Sequence, residues 1–114
     1  MLSTTVRAAV CRQFGAPLTI EELVLAEAPV TDVAPLSGLG HLLELQLQGT
    51  RVEDVQPLAW LTQLQGLNLS RTPVRDVTPL ATLGNLQWID LSGTGVTGTS
   101  VAALRRRRPD LQVL

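Results

Sequence analysis

Apolar residues return along this chain at intervals of three, two, five, three, three, three and three positions, and the whole cadence restarts after 22. Three segments superpose in this register: IEELVLAEAPVTDVAPLSGLGH from Ile20, LLELQLQGTRVEDVQPLAWLTQ from Leu42 and LQGLNLSRTPVRDVTPLATLGN from Leu64. A fourth, LQWIDLSGTGVTGTSVAALRRRRPD from Leu86, runs to 25 residues, and a fifth opens as Leu111, Gln112, Val113, Leu114. The spacing of three then two at the start of each unit alternates apolar and polar side chains, which predicts a short strand. The Val-x-Pro-Leu that follows predicts a short helical turn, because proline accepts the helical φ at its first positions. In the fourth unit a strand over 86–91 and a helix over 101–108 are expected.

Stacking the units aligns apolar ladders: Ile20, Leu42, Leu64, Leu86, Leu111; Leu23, Leu45, Leu67, Ile89, Leu114; and Leu25, Leu47, Leu69, Leu91. Val30, Val52, Val74 and Val96 align in the loop, and Val33, Val55 and Val77 lead into the turn. No single unit encloses a core with so few apolar side chains, whereas stacked units share a continuous one. Such a stack has open ends whose unpaired backbone groups invite aggregation. Val6 to Arg12, pairing antiparallel with Leu18 to Leu25 across a turn at Phe14 to Pro17, would cap the first end. The chain is therefore read as one domain, with a capping strand and turn over 1–19, four repeats over 20–110 and the start of a fifth strand over 111–114.

The repeated residues resemble the short, internalin-like leucine-rich repeats of bacteria over residues 20–114, in the pattern L-x-x-L-x-L-x-x-T-x-V-x-D-V-x-P-L-x-x-L. That resemblance implies an α/β solenoid: a parallel sheet on the concave face, 3₁₀ turns on the convex side, an N-terminal hairpin cap and a C-terminal helix. Family members carry an asparagine that bonds to the backbone of adjoining turns. Here Thr50, Thr72 and Thr94 replace it, and a hydroxyl offers less bonding capacity than an amide, so a weaker ladder of the same kind is expected. Asp32, Asp54 and Asp76 also recur, and each precedes Val-x-Pro-Leu, where a carboxylate can cap the free N–H groups of the turn. A second resemblance covers Val6 to Pro29, which is similar to the opening hairpin of medium-chain zinc-dependent alcohol dehydrogenases. None of that family's chemistry accompanies it, and Cys11 matches no zinc ligand, so it suggests at most a remnant without activity.

Gly93, Gly95 and Gly98 spell G-x-G-x-x-G after a predicted strand and before a predicted helix. By repeat register they align with Arg71, Pro73 and Asp76, so the motif reads as a repeat loop carrying glycine. A dinucleotide site would also require a second strand ending in an acid about 20 residues on. At most, the helix N-terminus near Thr99 and Ser100 could hold a stray phosphate.

Composition narrows the chemistry further. With a net charge of -1 over 114 residues, no general affinity for nucleic acid or membrane is expected. A single cysteine forbids an internal disulfide and fits a reducing compartment, so a cytoplasmic location is expected. No apolar run reaches the length of a membrane span. With one histidine, His41, and one cysteine, neither a nucleophile–base pair nor a three-ligand site of soft or imidazole donors assembles, so neither enzyme activity nor a metal or other cofactor is expected. Arg105 to Arg108 close the last helix, where cations meet its negative end. Their alternative reading is a small anion-docking patch.

Function is therefore sought on the sheet, between the leucines. Glu22, Glu44, Gly66 and Trp88 form one column; Val24, Gln46, Asn68 and Asp90 a second; Ala26, Gln48, Ser70 and Ser92 a third. Another protein is the expected partner, with Glu22, Glu44, Gln46, Gln48, Asn68, Trp88 and Asp90 as contact residues. Trp88 either anchors that partner or folds down over Gly66, while Trp60 is expected to pack between turns on the convex side. The last strand, Leu111 to Leu114, could also pair with a second copy. A segment of a larger multidomain sensor is the alternative organisation.

Overall fold

The computed structural model describes residues 21–114, so the expected capping hairpin over 1–19 and the start of the first repeat strand lie outside the described residues. Five strands form one sheet in sequence order, every neighbouring pair parallel: β1 (Glu22–Val24), β2 (Glu44–Gln46), β3 (Gly66–Asn68), β4 (Trp88–Asp90) and β5 (Gln112–Val113). The first three crossovers each contain one 3₁₀ turn, Ala34–Gly38, Gln56–Trp60 and Thr78–Thr82, and the fourth contains the helix α1, Gly98–Arg107.

Each strand is three residues or shorter because the repeat supplies one buried side chain per strand between two that point the other way. Leu23, Leu45, Leu67 and Ile89 stack in Cα register across the first four strands and are buried. Behind them the leucine and valine ladders of the loops and turns fill one continuous core, with Leu42, Leu45, Leu64, Leu67, Leu83 and Leu86 wholly excluded from solvent. Backbone bonds repeat from unit to unit: Leu25, Leu47 and Leu69 N–H donate to Gln46, Asn68 and Asp90 carbonyls at 2.8 to 2.9 Å.

The aspartates act one position ahead of the cap residue of each turn. Oδ1 of Asp32, Asp54 and Asp76 accepts the N–H of Ala34, Gln56 and Thr78 at 2.9, 2.9 and 3.0 Å, the first N–H of each 3₁₀ turn. The valine between them is the cap residue and has no side-chain bond to offer. The threonine ladder differs from the expected one. Thr50, Thr72 and Thr94 hydroxyls each donate to the carbonyl three residues back, Leu47, Leu69 and Leu91, at 2.7 Å. A hydroxyl on Cβ is too short to bridge to the next unit, so it pins its own loop while backbone bonds such as Arg51 N–H to Val30 O join the units.

The fourth unit departs from the others in two ways. Its helix starts at Gly98, three residues before the expected position, because Thr97 Oγ1 accepts the Ser100 N–H and caps it. The strand that follows is also displaced by one residue from the leucine alignment. Leu111 keeps the place of Leu86, its N–H bonding Arg108 O as Leu86 N–H bonds Leu83 O. The chain then enters the sheet one residue early, so Gln112 pairs with Trp88 and Val113 with Ile89. One residue of slip exchanges faces, and Leu114, expected in the core ladder, is 53% exposed.

Candidate functional site

The sheet face opposite the core carries the predicted columns in register, Glu22, Glu44, Gly66 and Trp88 in one row and Val24, Gln46, Asn68 and Asp90 in the next, and the slip of β5 adds Gln112 to the first. Gln48 follows in the loop beyond β2 with Ala26, Ser70 and Ser92 at equivalent positions. At about 4.8 Å per strand the five strands make a strip about 20 Å wide. Glu22 is exposed; Glu44, Gln46, Gln48, Asn68, Trp88 and Asp90 are half-buried. The residues expected to meet a partner are thus neighbours on one surface.

Trp88 lies down over Gly66, the second of the two arrangements the sequence left open for it, and the seated ring is still partly open to solvent. A Cβ added at Gly66 would collide with the indole ring, so the absence of a side chain on β3 is what lets the ring lie down there. The ring covers Gly66, which is buried, while Trp88 itself remains half exposed. Asn68 and Asp90 shape the strand ends: their Oδ1 atoms accept the N–H of Ser70 and Ser92 at 3.0 Å. Asp90 therefore uses one carboxylate oxygen to turn the chain. Gln48 Oε1 is buried with no hydrogen-bond partner among the described residues.

Charge on this face is one-sided, since Glu22, Glu44 and Asp90 occupy the two strand rows and no lysine or arginine does. At the rim, Glu27 and Arg71 form an ion pair at 2.6 Å across the intervening repeat. Both have positive φ, 62° and 57°, at the same loop position where the alternate repeats carry Gly49 and Gly93, at 72° and 71°. The glutamate passes over Gly49, where a Cβ would strike its carboxylate. Gly93, first of the G-x-G-x-x-G, is thus the left-handed loop position of its repeat. The helix N-terminus beyond it is capped from within. Ser100 Oγ is engaged too, accepting Val77 N–H at 3.0 Å and donating to Asp76 at 3.1 Å.

Three residues elsewhere were not legible in their observed roles. Trp60, expected to pack between turns, is 71% exposed at the end of the second 3₁₀ turn. Its equivalents in the neighbouring units are Gly38 and Thr82, and neither offers a surface to cover an indole. Arg108 does not belong with its neighbours: Arg105, Arg106 and Arg107 are exposed, whereas the Arg108 guanidinium turns inward, donating to Leu83 O and, at 2.7 Å, to Leu86 O. Ser100 is the third, buried and locking α1 to the third turn. Among the described residues no group of three His, Cys, Asp or Glu side chains converges as metal ligands would, and no helix is long and apolar enough to cross a membrane.

No family model and no curated protein matches the chain, so the resemblance of residues 6–29 to a dehydrogenase hairpin is unsupported. Solved structures do match. An internalin of Listeria monocytogenes is similar at 28% identity and a TM-score of 0.71, over 84% of this chain and 28% of its own. Internalin C2 of the same species is similar at 32% identity and a TM-score of 0.72, over 83% and 41%. A leucine-rich-repeat protein of Leptospira interrogans matches in fold, at 18% identity and a TM-score of 0.60, over 82% and 31%. The chain thus spans 28% to 41% of the length of these structures. Its fold is an internalin-like leucine-rich-repeat solenoid.

Proposed function

We propose that this solenoid is a non-enzymatic recognition module that binds another protein through its concave sheet. The observation that carries the reading is the half-buried indole of Trp88, seated on Gly66 among in-register strands with Glu44, Gln46, Asn68 and Asp90 on the same face. Tryptophan is enriched among residues that dominate binding energy, and such anchors sit within a polar surround that excludes water. A repeat solenoid offers its sheet as a continuous binding surface. The isolated Trp60 is a single exposed apolar side chain of the kind that most soluble surfaces carry.

The test compares faces. A partner recovered with the intact chain is titrated against Trp88→Ala and against Thr82→Ala on the convex side. Loss of binding with the first and none with the second is expected. Binding unchanged by Trp88→Ala and lost on truncation of Leu111 to Leu114 would instead assign recognition to the edge of β5.

A further inference from the structure

The chemistry of this face specifies what it receives. We infer that the concave sheet takes a cationic side chain, an arginine or lysine on the partner, laid on the Trp88 indole between the carboxylates of Glu44 and Asp90; this rests on the concave-face reading. The indole is held flat because Gly66 leaves room beneath it. It therefore presents an electron-rich face outward, the surface on which guanidinium and ammonium groups settle. Glu44 is the register neighbour of Gly66 on the next strand, and Asp90 follows Trp88 by two residues on the same strand and the same face. Both carboxylates thus border the strip that the ring occupies.

Charge complementarity points the same way. Among the described residues the two strand rows hold Glu22, Glu44 and Asp90 and no cation, and the rim arginine Arg71 bonds Glu27. The remaining polar groups of the rows, Gln46, Asn68 and Gln112, carry no charge. An acidic partner would meet carboxylates, and a purely apolar one would bury them unpaired. A guanidinium supplies five donors and a planar cation that stacks on an aromatic face, so it satisfies the carboxylates and the ring together.

The experiment uses the full chain carrying Trp60→Phe, so that emission reports Trp88 alone, and three capped octapeptides alternating serine with arginine, leucine or glutamate. The arginine peptide is expected to quench Trp88 saturably and to bind more weakly in high salt, while the leucine and glutamate peptides do not saturate. Trp88→Leu, read by fluorescein on the peptide, is expected to weaken binding about tenfold. Glu44→Gln and Asp90→Asn each weaken it severalfold, and Asp90→Asn retains an oxygen for the Ser92 N–H, so the strand end is preserved. Thr82→Ala leaves it unchanged.

Equal binding of the leucine peptide, or arginine-peptide binding indifferent to Trp88→Leu and to both carboxylate changes, would overturn the assignment. If Trp88→Ala still releases the recovered partner while the arginine peptide fails to bind, the cationic chemistry falls and the concave-face reading stands. Self-association of the chain alone, abolished by converting Arg105, Arg106 and Arg107 to glutamine, would give the face to a second copy and overturn the assignment to a distinct partner.

Discussion

Two rows of side chains run across the same strands one residue apart, and they behave differently. Leu23, Leu45, Leu67 and Ile89 scarcely change from strand to strand and are buried, whereas Glu22, Glu44, Gly66 and Trp88 lie on the opposite face and change, at two of their three steps, from acid to glycine to indole. The inner row repeats because each leucine packs against the one before and after it, so any unit with a different volume would disturb two neighbours. The outer row is free of that requirement. Its variation produces a sheet with acids at one end and an indole lying on a glycine near the other, a surface that differs from strand to strand although the backbone does not.

The widest separation between the rows comes from truncating one residue of each. Leu67→Ala is expected to destabilise the chain by about 2 to 5 kcal/mol, through lost transfer energy and the cavity left between β2 and β4. Gln46→Ala on the outer row should stay within about 0.5 kcal/mol. Urea midpoints of the two variants measure this directly. A similar loss from both would mean that the outer row is part of the packing.

The same contrast exists along the turns. Asp32 and Asp54 each accept one N–H, while Asp76 accepts three bonds, from Thr78 N–H, the Thr78 hydroxyl and the Ser100 hydroxyl. Asp54→Ala is expected to cost about 0.5 to 2 kcal/mol, as lost caps do, without affecting partner binding; thermal melts and a titration check both halves. The Thr78 backbone N–H first and then the Thr78 hydroxyl hold the Asp76 carboxyl below its ordinary value, against a desolvation that raises it and with a lesser contribution from the Ser100 hydroxyl. A carboxyl whose value is lower in the folded chain than the roughly 3.9 of an unfolded one stabilises fully above that value. That contribution is lost as pH falls through the folded value. Asp76→Asn should therefore lower stability at pH 7 and make the acid limb of a stability–pH curve shallower; an unchanged acid limb would contradict the linkage. Only a small fraction of a kcal/mol up to about 1 kcal/mol separates the last pair. Arg71→Gly relieves a positive φ of 57° but loses an exposed ion pair, so a net gain of up to about 1 kcal/mol is expected by denaturant unfolding.

The 22-residue period made the parallel register of β1 to β4 legible, because a core ladder and a strand pairing are the same statement in a solenoid. It also brought the concave residues to one face, since strand alternation is a local property. Where α1 replaces a 3₁₀ turn that local logic failed. A 3₁₀ turn and an α-helix differ in rise per residue, and leucine spacing alone does not report where the chain re-enters the sheet, so Val113 rather than Leu114 faces inward. The exposure of Trp60 depended on its neighbours Gly38 and Thr82 being too small to cover it, and the left-handed loop position was disguised by glutamate and arginine alternating with glycine. Arg108 was indistinguishable from Arg105, Arg106 and Arg107 in sequence, because only the three-dimensional path brings Leu83 O and Leu86 O beside its guanidinium.

The chain's two tryptophans lie on opposite sides of the solenoid, and calorimetric titration of one partner against Trp88→Ala and Trp60→Ala tests the central claim most directly. Concave-face recognition predicts that Trp88→Ala weakens binding by more than about 2 kcal/mol, the usual threshold for an anchor residue, while Trp60→Ala leaves the dissociation constant unchanged. The reverse pattern, binding lost with Trp60→Ala and kept with Trp88→Ala, would place recognition on the convex turns and contradict the account.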